Sequence, residues 1–315
     1  MASLFYLKTV EGIRGVYASQ DTYTVMTIPK EDVYTPELIL KLFPCCTFLN
    51  CDDYTLLTAF ILLKPSQYTK YFDELPYSQD MMIYHKHNLP VHLQECLLPQ
   101  KTLLKRIYKA LKASLCPYHL SCLTKSQYLA AFSLMNSRCV AIQNKIVLMR
   151  NFDMMNHSFS STTYLQVIND TIVIKSDQLI YKNQEITLCY GPHDNLFLLI
   201  EYGFILHDNP YDCIDISIVI IQLMSNDQIK ELIKHSYYND YTLSRKGLNY
   251  RAIVTLHYIE TGLFSIYVDD YIPTHLQSLL ITLKNDYLQF STNESTWTPL
   301  LQLYNLHLKL INSLL

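Results

Sequence analysis

The sequence predicts an α+β fold, and three features of its hydrophobic pattern lead to that prediction. Strand-like segments occupy residues 1–29 and 146–190, where short apolar runs are separated by turn residues. Helical periodicity dominates between about residues 36 and 150. It returns from residue 195 to the end of the chain. This order predicts a β-fold interrupted by a long helical segment and followed by a helical C-terminal region.

The composition is typical of a folded chain that buries a large core. Half of the 315 residues are hydrophobic and 17% are charged, which excludes an intrinsically disordered chain. The net charge of −3, with both signs mixed, provides no basic field for direct nucleic-acid binding. The first residues lack a secretion signal, and the longest apolar run, 216–224, is too short to span a bilayer. We therefore expect a soluble, intracellular protein.

The strand regions contain recognisable turn signals. We expect short strands around a turn at residues 11–15, with the last strand ending at 28–29. The segment TIVIK at 171–175 follows an Asn-Asp pair and is typical of the second arm of a hairpin. The segment 186–190, ITLCY, places alternate side chains on one side of a strand. These segments predict short strands on both sides of the helical region.

Two helices are predicted most clearly by their apolar faces. The segment KTLLKRIYKALKASL at 101–115 carries its leucines and isoleucine on one face and its basic residues elsewhere, and Pro117 ends the helix. We expect the basic face to be solvated. The segment 298–315 carries a broad apolar stripe that is formed by Leu300, Leu301, Leu303, Tyr304, Leu306 and Ile311.

The nine cysteines include two local groups that merit attention as metal ligands. These groups are Cys45, Cys46 and Cys51, then Cys116, His119 and Cys122. An odd number of cysteines without a secretion signal favours reduced thiols. Neither group contains the paired C-x-x-C knuckles of a typical structural zinc site. We therefore expect buried structural cysteines and no metal site.

Two Tyr-Gly pairs lie twelve residues apart, Tyr190-Gly191 and Tyr202-Gly203, in a chain that has only six glycines. Glycine adopts positive φ without steric cost, and Asp194 or Asn195 can cap the helix between the pairs. The spacing alone favours two core tyrosines with glycines at turns and helix ends. The alternative is that the two phenol groups converge on one cavity.

Three separated stretches together resemble a SET domain of the Rubisco-methyltransferase-like branch. The first is EGIRGVYA at 11–18. The second comprises SRCV at 137–140 and NFDMMNHSF at 151–159. The third, QEITLCYGPHDNLFLLIEYGF at 184–204, is most similar to the animal SET domain-containing protein four subgroup. Each motif alone is weak, but their order along about two hundred residues makes the resemblance specific.

The resemblance implies a domain organisation. A SET domain occupies residues 1–210 and carries a helical insert at about 51–135. Residues 211–315 then form a helical C-terminal domain similar to the family's substrate-binding domain. The zinc-binding segment that follows the SET domain in many histone enzymes is absent, since no cysteine follows Cys213.

The resemblance also implies an activity, namely S-adenosyl-L-methionine-dependent protein-lysine N-methylation of a histone or non-histone substrate. The alternatives are a non-catalytic SET-fold interaction module and a protein-histidine N-methyltransferase. The implied partner is a protein that presents a lysine. We expect a monomer without nucleic-acid or membrane binding, located in the cytoplasm, the nucleus or both.

Residue roles follow from the same resemblance. Tyr190 matches the catalytic tyrosine, and Asp153, Tyr202 and Phe204 match positions on the substrate side. In this interpretation Tyr190 and Tyr202 build the channel through which the lysine reaches the methyl group. The positions that match cofactor-binding residues are Arg14, Gly15, Val16, Arg138, Asn156 and His157.

Overall fold

The computed structural model describes residues 4–76, 81–85, 91–169, 171–268, 271–291 and 297–315. The strands are β1 Phe5–Val10, β2 Ile13–Ala18, β3 Thr22–Ile28, β4 Val33–Tyr34, β5 Val140–Ile142, β6 Lys145–Met149, β7 Asn156–His157, β8 Thr163–Ile168, β9 Thr171–Ile180, β10 Glu185–Leu188, β11 Cys213–Asp215, β12 Thr242–Ser244 and β13 Gly247–Leu248. The α-helices are α1 Pro36–Leu42, α2 Asp53–Leu63, α3 Thr69–Glu74, α4 Val91–Cys96, α5 Leu98–Ser114, α6 Pro117–Leu120, α7 Lys125–Arg138, α8 Asn195–Tyr202, α9 Ser217–Ile221, α10 Asn226–Lys234, α11 Tyr250–Thr261, α12 Leu276–Ser291 and α13 Thr298–Leu314. Among these described helices, none combines the length and the apolar character that crossing a membrane requires.

The chain divides into two compact units. The first consists of Met1–Asp80 and Leu103–Pro192, and the second of Met81–Thr102 and His193–Leu315. The first unit contains β1 to β10 and most of the helical insert, whereas the second is mainly helical. The predicted α+β fold with a helical insert and a helical C-terminal region is therefore confirmed. The domain boundary at residue 210 stays a prediction.

The described strands of the first unit form three small sheets. Their orders are β1-β2-β10-β7, β3-β9-β8 and β4-β6-β5. The pairings are antiparallel except for β7 and β10, which run parallel. Apolar side chains from the three sheets, among them Val16, Ile28, Val147 and Ile174, meet in one buried core. This core fixes the strands that carry the candidate site.

The predicted turns are confirmed with one correction. The first turn consists of Glu11 and Gly12 alone, with φ values of 51° and 83°, so residues 13–15 belong to β2 and not to the turn. Positive φ at both central residues gives a hairpin turn whose twist matches that of the strands. The hairpin of β8 and β9 is present as predicted, with Ile168 opposite Thr171. The Asp170 of its predicted turn lies outside the described residues.

The helical insert packs around α2, which is buried from Thr55 to Leu62 and contacts α7. Tyr34 of β4 packs against aromatic rings of the insert, and its ring lies 4.9 Å from that of Phe60 and 4.8 Å from that of Tyr71. The predicted amphipathic helix is α5, and it ends at Ser114. Pro117 then occupies the first turn of the next short helix, α6.

The second unit is organised by long amphipathic helices, as the periodicity predicts. Helix α13 packs against α12, and its Leu300, Leu303 and Ile311 are fully buried. The His307 side chain is buried against this apolar core, where its Nδ1 and the Tyr287 hydroxyl share a hydrogen bond of 2.8 Å. Burial lowers the pKa of His307 to about 3, so the imidazole is neutral.

Candidate active site

The sheet β1-β2-β10-β7 gathers three of the motifs that are far apart in the sequence. Strand β7 consists only of Asn156 and His157, which pair in parallel with Thr187 and Leu188 of β10. Strand β2 pairs with the other edge of β10 and places Val16 opposite Ile186. Tyr190 follows β10 by two residues. The sheet thereby brings residues 14–16, 156–157 and 190 into one region of the first unit.

The Asn156 side chain connects the two strands that flank β10. Its Nδ2 donates a hydrogen bond of 3.0 Å to the Arg14 carbonyl and one of 2.7 Å to Glu185 Oε1. Gly15 makes this arrangement possible, because a Cβ at that position would overlap Glu185 Oε1 and lie 3.1 Å from Asn156 Nδ2. The neighbouring Val16 is fully buried and serves the core. A side chain at position 15 would therefore displace the Glu185 carboxylate from its bond with Asn156.

His157 and Tyr190 are held by each other's backbone and ring atoms. The Tyr190 backbone N–H donates a hydrogen bond of 3.0 Å to His157 Nδ1, and the two ring centroids are 5.1 Å apart. Phe159 packs its edge against the same imidazole at 4.4 Å. The Tyr190 hydroxyl donates a hydrogen bond of 2.6 Å to the Met155 carbonyl. The phenol oxygen of Tyr190 therefore has a defined position beside the 155–157 segment.

Asp153 and Arg138 form a buried polar pair next to that segment. Arg138 Nη1 donates a hydrogen bond of 2.5 Å to the Asp153 carbonyl and lies 3.9 Å from Asp153 Oδ2. Tyr71, from the helical insert, donates a hydrogen bond of 2.9 Å to the same Oδ2. Burial raises the pKa of Asp153 to about 6, although Arg138, Tyr71 and Arg14 favour its charged form. A carboxylate is thus kept in the interior by two arginines and one phenol.

Both arginines of this region also approach one sulfur atom. Arg14 Nη2 and Arg138 Nη1 lie 3.2 Å and 3.5 Å from the Met154 Sδ. Burial and the nearby Arg138 charge lower the pKa of Arg14. Both guanidinium groups act on the Asp153 carboxylate, and Glu74 also favours the charged form of Arg14. Guanidinium groups placed in this way suit an anionic ligand group.

Buried polar atoms without a hydrogen-bond partner among the described residues include Arg138 Nε and Asp153 Oδ1. Buried polar atoms in folded proteins are nearly always bonded to protein, water or ligand. The Arg138 guanidinium therefore retains donor capacity for a ligand. The Asp153 side chain has no exposed surface, which does not favour the predicted substrate contact, and that role stays a prediction.

The remaining predicted residues, Tyr202 and Phe204, belong to the second unit. Tyr202 ends α8, whose N-cap is Asp194, and its ring lies 6.2 Å from that of Phe204. Gly203, with φ of 79°, and Gly191, with φ of 134°, both adopt the positive values that the two Tyr-Gly pairs predict. The convergence of Tyr190 and Tyr202 on one channel stays a prediction.

Three residues of the site are absent from the predicted set. Glu185 accepts the bond from Asn156, Met154 contacts both arginines, and Tyr71 bonds Asp153. Glu185 and Met154 lie within the stretches that resemble a SET domain, so the sequence could have indicated them. Tyr71 lies 82 residues before Asp153, and no local pattern connects the two.

Family profiles divide the chain in the same order as the predicted domains. The SET domain profile matches residues 14–191, which is more than half of the chain. A profile described as "Ribosomal lysine N-methyltransferase 2 C-terminal domain" matches residues 212–313.

Curated relatives match over shorter segments. Ribosomal lysine N-methyltransferase set11 of Schizosaccharomyces pombe is 38% identical over 128 residues, which are 38% of this chain and 32% of the relative. Ribosomal lysine N-methyltransferase 2 of Saccharomyces cerevisiae is 43% identical over 82 residues, 25% of this chain and 17% of the relative. SET domain-containing protein 4 of Homo sapiens is 37% identical over 82 residues, 24% of this chain and 19% of the relative. The chain thus spans about a third or less of the length of these relatives.

Solved structures show the same fold over nearly the whole chain. Rubisco LSMT bound to sinefungin and monomethyllysine has a TM-score of 0.66 and 14% identity, over 99% of this chain and 84% of that one. The SET domain of LSMT bound to lysine and AdoHcy has a TM-score of 0.63 and 15% identity, over 99% and 83%. At these identities the likeness shows the fold. Together with the profile over residues 14–191, it confirms the predicted resemblance: the chain belongs to the SET-domain family.

Proposed function

We propose that the chain is an S-adenosyl-L-methionine-dependent protein-lysine N-methyltransferase and that its substrate is a ribosomal protein. The observation that carries the activity is the meeting of Arg14, Arg138, Asn156 and Tyr190 in one unit of a SET-domain chain. The ribosomal substrate is supported by the C-terminal profile at 212–313 and by the two ribosomal relatives. Such a substrate is compatible with the cytoplasmic or nuclear location that the sequence leads us to expect.

The chemistry of the site fits the proposed cofactor in two respects. The Arg138 guanidinium, with its unpartnered Nε and its neighbour Arg14, suits the carboxylate of the methionine part. The missing Cβ of Gly15 allows backbone and side chains to approach closely beside Asn156. Arg14, Arg138, Asn156 and His157 are therefore the residues that we expect to hold the cofactor. S-adenosyl-L-methionine supplies an electrophilic methyl group when it is bound.

The task of the protein is to present a lysine nitrogen that is neutral and correctly placed. An ammonium has no lone pair, and with a pKa of about 10.4 only about one lysine in a thousand is neutral near pH 7.4. A desolvated channel lowers that pKa. A fixed alignment of the nitrogen with the methyl group provides most of the remaining rate acceleration. The Tyr190 hydroxyl, held on the Met155 carbonyl, places an oxygen that can orient the incoming nitrogen.

The proposal is tested by methyl transfer and cofactor binding, measured with Asn156→Ala and the surface variant Lys109→Ala. The wild-type chain should bind S-adenosyl-L-methionine at micromolar concentration or below, about −8 kcal/mol, in calorimetry. It should also label a lysine of a ribosomal protein in ribosomes from cells that lack the enzyme. Asn156→Ala should weaken binding by about 1–3 kcal/mol, since the Arg14 carbonyl and Glu185 lose their donor. Lys109→Ala should match the wild type.

The outcomes separate the proposal from its alternatives. Cofactor binding without transfer to any protein of a whole extract would support a non-catalytic interaction module. Methylhistidine in the hydrolysed product would assign the chain to histidine methylation. Label on lysine of a non-ribosomal protein alone would retain the activity and reject the ribosomal substrate. No binding at millimolar cofactor would reject the enzyme itself.

A further inference from the structure

Three cysteines and a histidine from two distant segments meet in the first unit, in a group that has no part in the proposed methyl transfer. Cys45 and Cys46 follow α1, whereas Cys116 and His119 lie around the start of α6, about 70 residues later. Their ligand atoms, three Sγ and one Nδ1, all lie within 4.8 Å of one another. Among the described residues, these four side chains are the group of histidine, cysteine or acidic residues whose ligand atoms are close enough together to bind one metal ion.

The distances between the ligand atoms are close to those of a tetrahedral zinc site. The Nδ1 of His119 lies 3.5 Å from the Sγ of Cys45 and 3.4 Å from the Sγ atoms of Cys46 and Cys116. Zinc with bonds of about 2.3 Å to sulfur and 2.0–2.1 Å to nitrogen separates sulfur from nitrogen by about 3.6 Å. The Cys45 and Cys116 sulfurs are 3.4 Å apart, where a zinc tetrahedron requires about 3.8 Å. These four separations therefore differ from those of a zinc tetrahedron by at most about 0.4 Å, and the other two sulfur pairs lie within 4.8 Å.

The backbone around the group holds the four side chains in place. The Cys116 N–H donates a hydrogen bond of 3.5 Å to the Cys46 sulfur, which suits a thiolate that also binds a metal. The Thr47 N–H bonds the Ser114 carbonyl at 2.8 Å and joins the two segments directly. The Phe43 ring packs edge-on against His119 at 5.5 Å. The group therefore joins the segment after α1 to the helical insert.

Local structure explains why Cys116 and His119 point the same way. Cys116 is the N-cap of α6, and Pro117 occupies the first helical position. Residues three apart on a helical turn lie on one side of it, which places the His119 ring beside the Cys116 thiol. The tight turn after α1, where the Cys46 N–H bonds the Phe43 carbonyl at 3.0 Å, presents the other two thiols.

The two cysteine groups visible in the sequence each contain one member that the structure separates from this cluster. Cys51 Sγ lies 3.3 Å from the Ser114 hydroxyl, and neither Cys51 nor Cys122 belongs to the group of ligand atoms. The local spacing, which lacks C-x-x-C knuckles, favoured no metal. Each group contributes two ligands: Cys45 and Cys46 form a C-C pair, and Cys116 and His119 form a C-x-x-H pair.

We propose that Cys45, Cys46, Cys116 and His119 bind one zinc ion in a Cys₃His site. Thiolate sulfur and imidazole nitrogen together favour zinc among the common metals of proteins. Four protein ligands leave no open position, so the site is structural and not catalytic. Its effect is to fasten the segment after α1, which precedes the helical insert, to the turn before α6, which lies within the insert.

The test is zinc content by elemental analysis of the full-length chain, purified from zinc-supplemented cells without chelator and under reducing conditions. The wild type should contain about one zinc per chain, with three sulfurs at about 2.3 Å and one nitrogen at about 2.0 Å by X-ray absorption. Cys46→Ser, Cys116→Ser and His119→Gln should each reduce the zinc content at least fivefold. Cys51→Ser and Cys122→Ser are matched controls and should retain it.

A second measurement covers the case in which the cluster variants do not fold. Chelation of the wild-type chain should lower its midpoint of thermal unfolding by about 5 °C, and added zinc should restore it. Less than about a tenth of a zinc per chain after zinc loading would overturn the proposal. So would zinc retained by the three cluster variants, or a Cys45–Cys116 disulfide found by mass spectrometry in reduced preparations.

Discussion

The interiors of the two compact units differ in what they bury. The first unit encloses Asp153, whose side chain has no exposed surface, beside Arg138, whose side chain is 13% exposed. The second unit encloses an apolar core to which α12 and α13 contribute, and His307 is neutral there and bonded to Tyr287. Buried charges cost free energy even when they are paired, whereas apolar burial stabilises. The comparison indicates that the first unit holds polar groups ready for a ligand, while the second derives its stability from packing.

The two interiors also respond to acid in opposite directions. The folded pKa of Asp153, about 6, lies above its ordinary value, so its contribution to stability is fully present at low pH and is lost as pH rises towards 6. The folded pKa of His307, about 3, lies below its ordinary value. Its contribution is fully present above pH 6.5 and is lost as pH falls towards 3. Mild acidification therefore favours the folded form through Asp153 and opposes it through His307.

The largest expected effect is on the packing of the second unit. Leu303→Ala removes a fully buried side chain from α13 and should lower the free energy of unfolding by about 2–5 kcal/mol. Asn305→Ala, on an exposed position of the same helix, should change it by less than about 0.5 kcal/mol. Urea denaturation monitored by circular dichroism measures both. Equal effects of the two variants would contradict the packing role of this core.

The next effect concerns the chemistry of the first unit. Tyr190→Phe keeps the ring but removes the hydroxyl that bonds the Met155 carbonyl. We expect a loss of about a hundredfold in kcat, with little change in cofactor affinity, because the oxygen acts mainly in the transition state. Tyr181→Phe, at an exposed tyrosine, should have no effect. Single-turnover methylation with parallel calorimetry is the measurement.

Two results would count against that assignment. Near-wild-type turnover of Tyr190→Phe would mean that the Tyr190-Gly191 pair is structural. A large loss of cofactor affinity would place the hydroxyl in ground-state binding instead of catalysis.

The smallest effect tests the contrast in pH response. When the pH falls from 7.5 to 5, the titration of His307 should lower the free energy of unfolding by about 2 kcal/mol, which is about 1.4 kcal/mol for each pH unit below 6.5. His307→Gln removes this titration, although it weakens the core at neutral pH. Asp212 also titrates nearby, since its Oδ1 lies 4.0 Å from the imidazole and burial raises its pKa. The difference in free energy of unfolding between variant and wild type, followed against pH, separates the effect of His307 from that of Asp212. A difference that is constant with pH would show that the imidazole does not titrate in this range.

Periodicity in the sequence predicted the elements that have one apolar face. It predicted α13 and α5, because each has one side towards a core and one towards solvent. The β8-β9 hairpin was predicted from the Asn-Asp pair at its turn. Periodicity missed β5, which begins at Val140, before the predicted strand region at 146. It also gave no sign of how completely α2 is buried, since a helix that is apolar on all sides lacks a period.

The candidate site was predicted as far as its motifs extend. Arg14, Asn156 and Tyr190 follow from short ordered patterns, and the sheet brings their segments together. The bond from Tyr71 to Asp153 and the cysteine cluster depend on tertiary contacts between segments about 70–80 residues apart. Local spacing carries no information about such pairs.

The pairing of β2 with β10 has a consequence for synthesis of the chain. Strand β2 pairs with β1 almost at once, but the partner of its other edge is about 170 residues further along the chain. At about 5–20 residues per second, the ribosome needs roughly ten to thirty seconds to make β10 after β2. During that interval the Gly15 edge lacks its native partner, and an unpaired strand edge is a site of aggregation. The nascent hairpin is therefore the part of this chain that we expect chaperones to protect for longest.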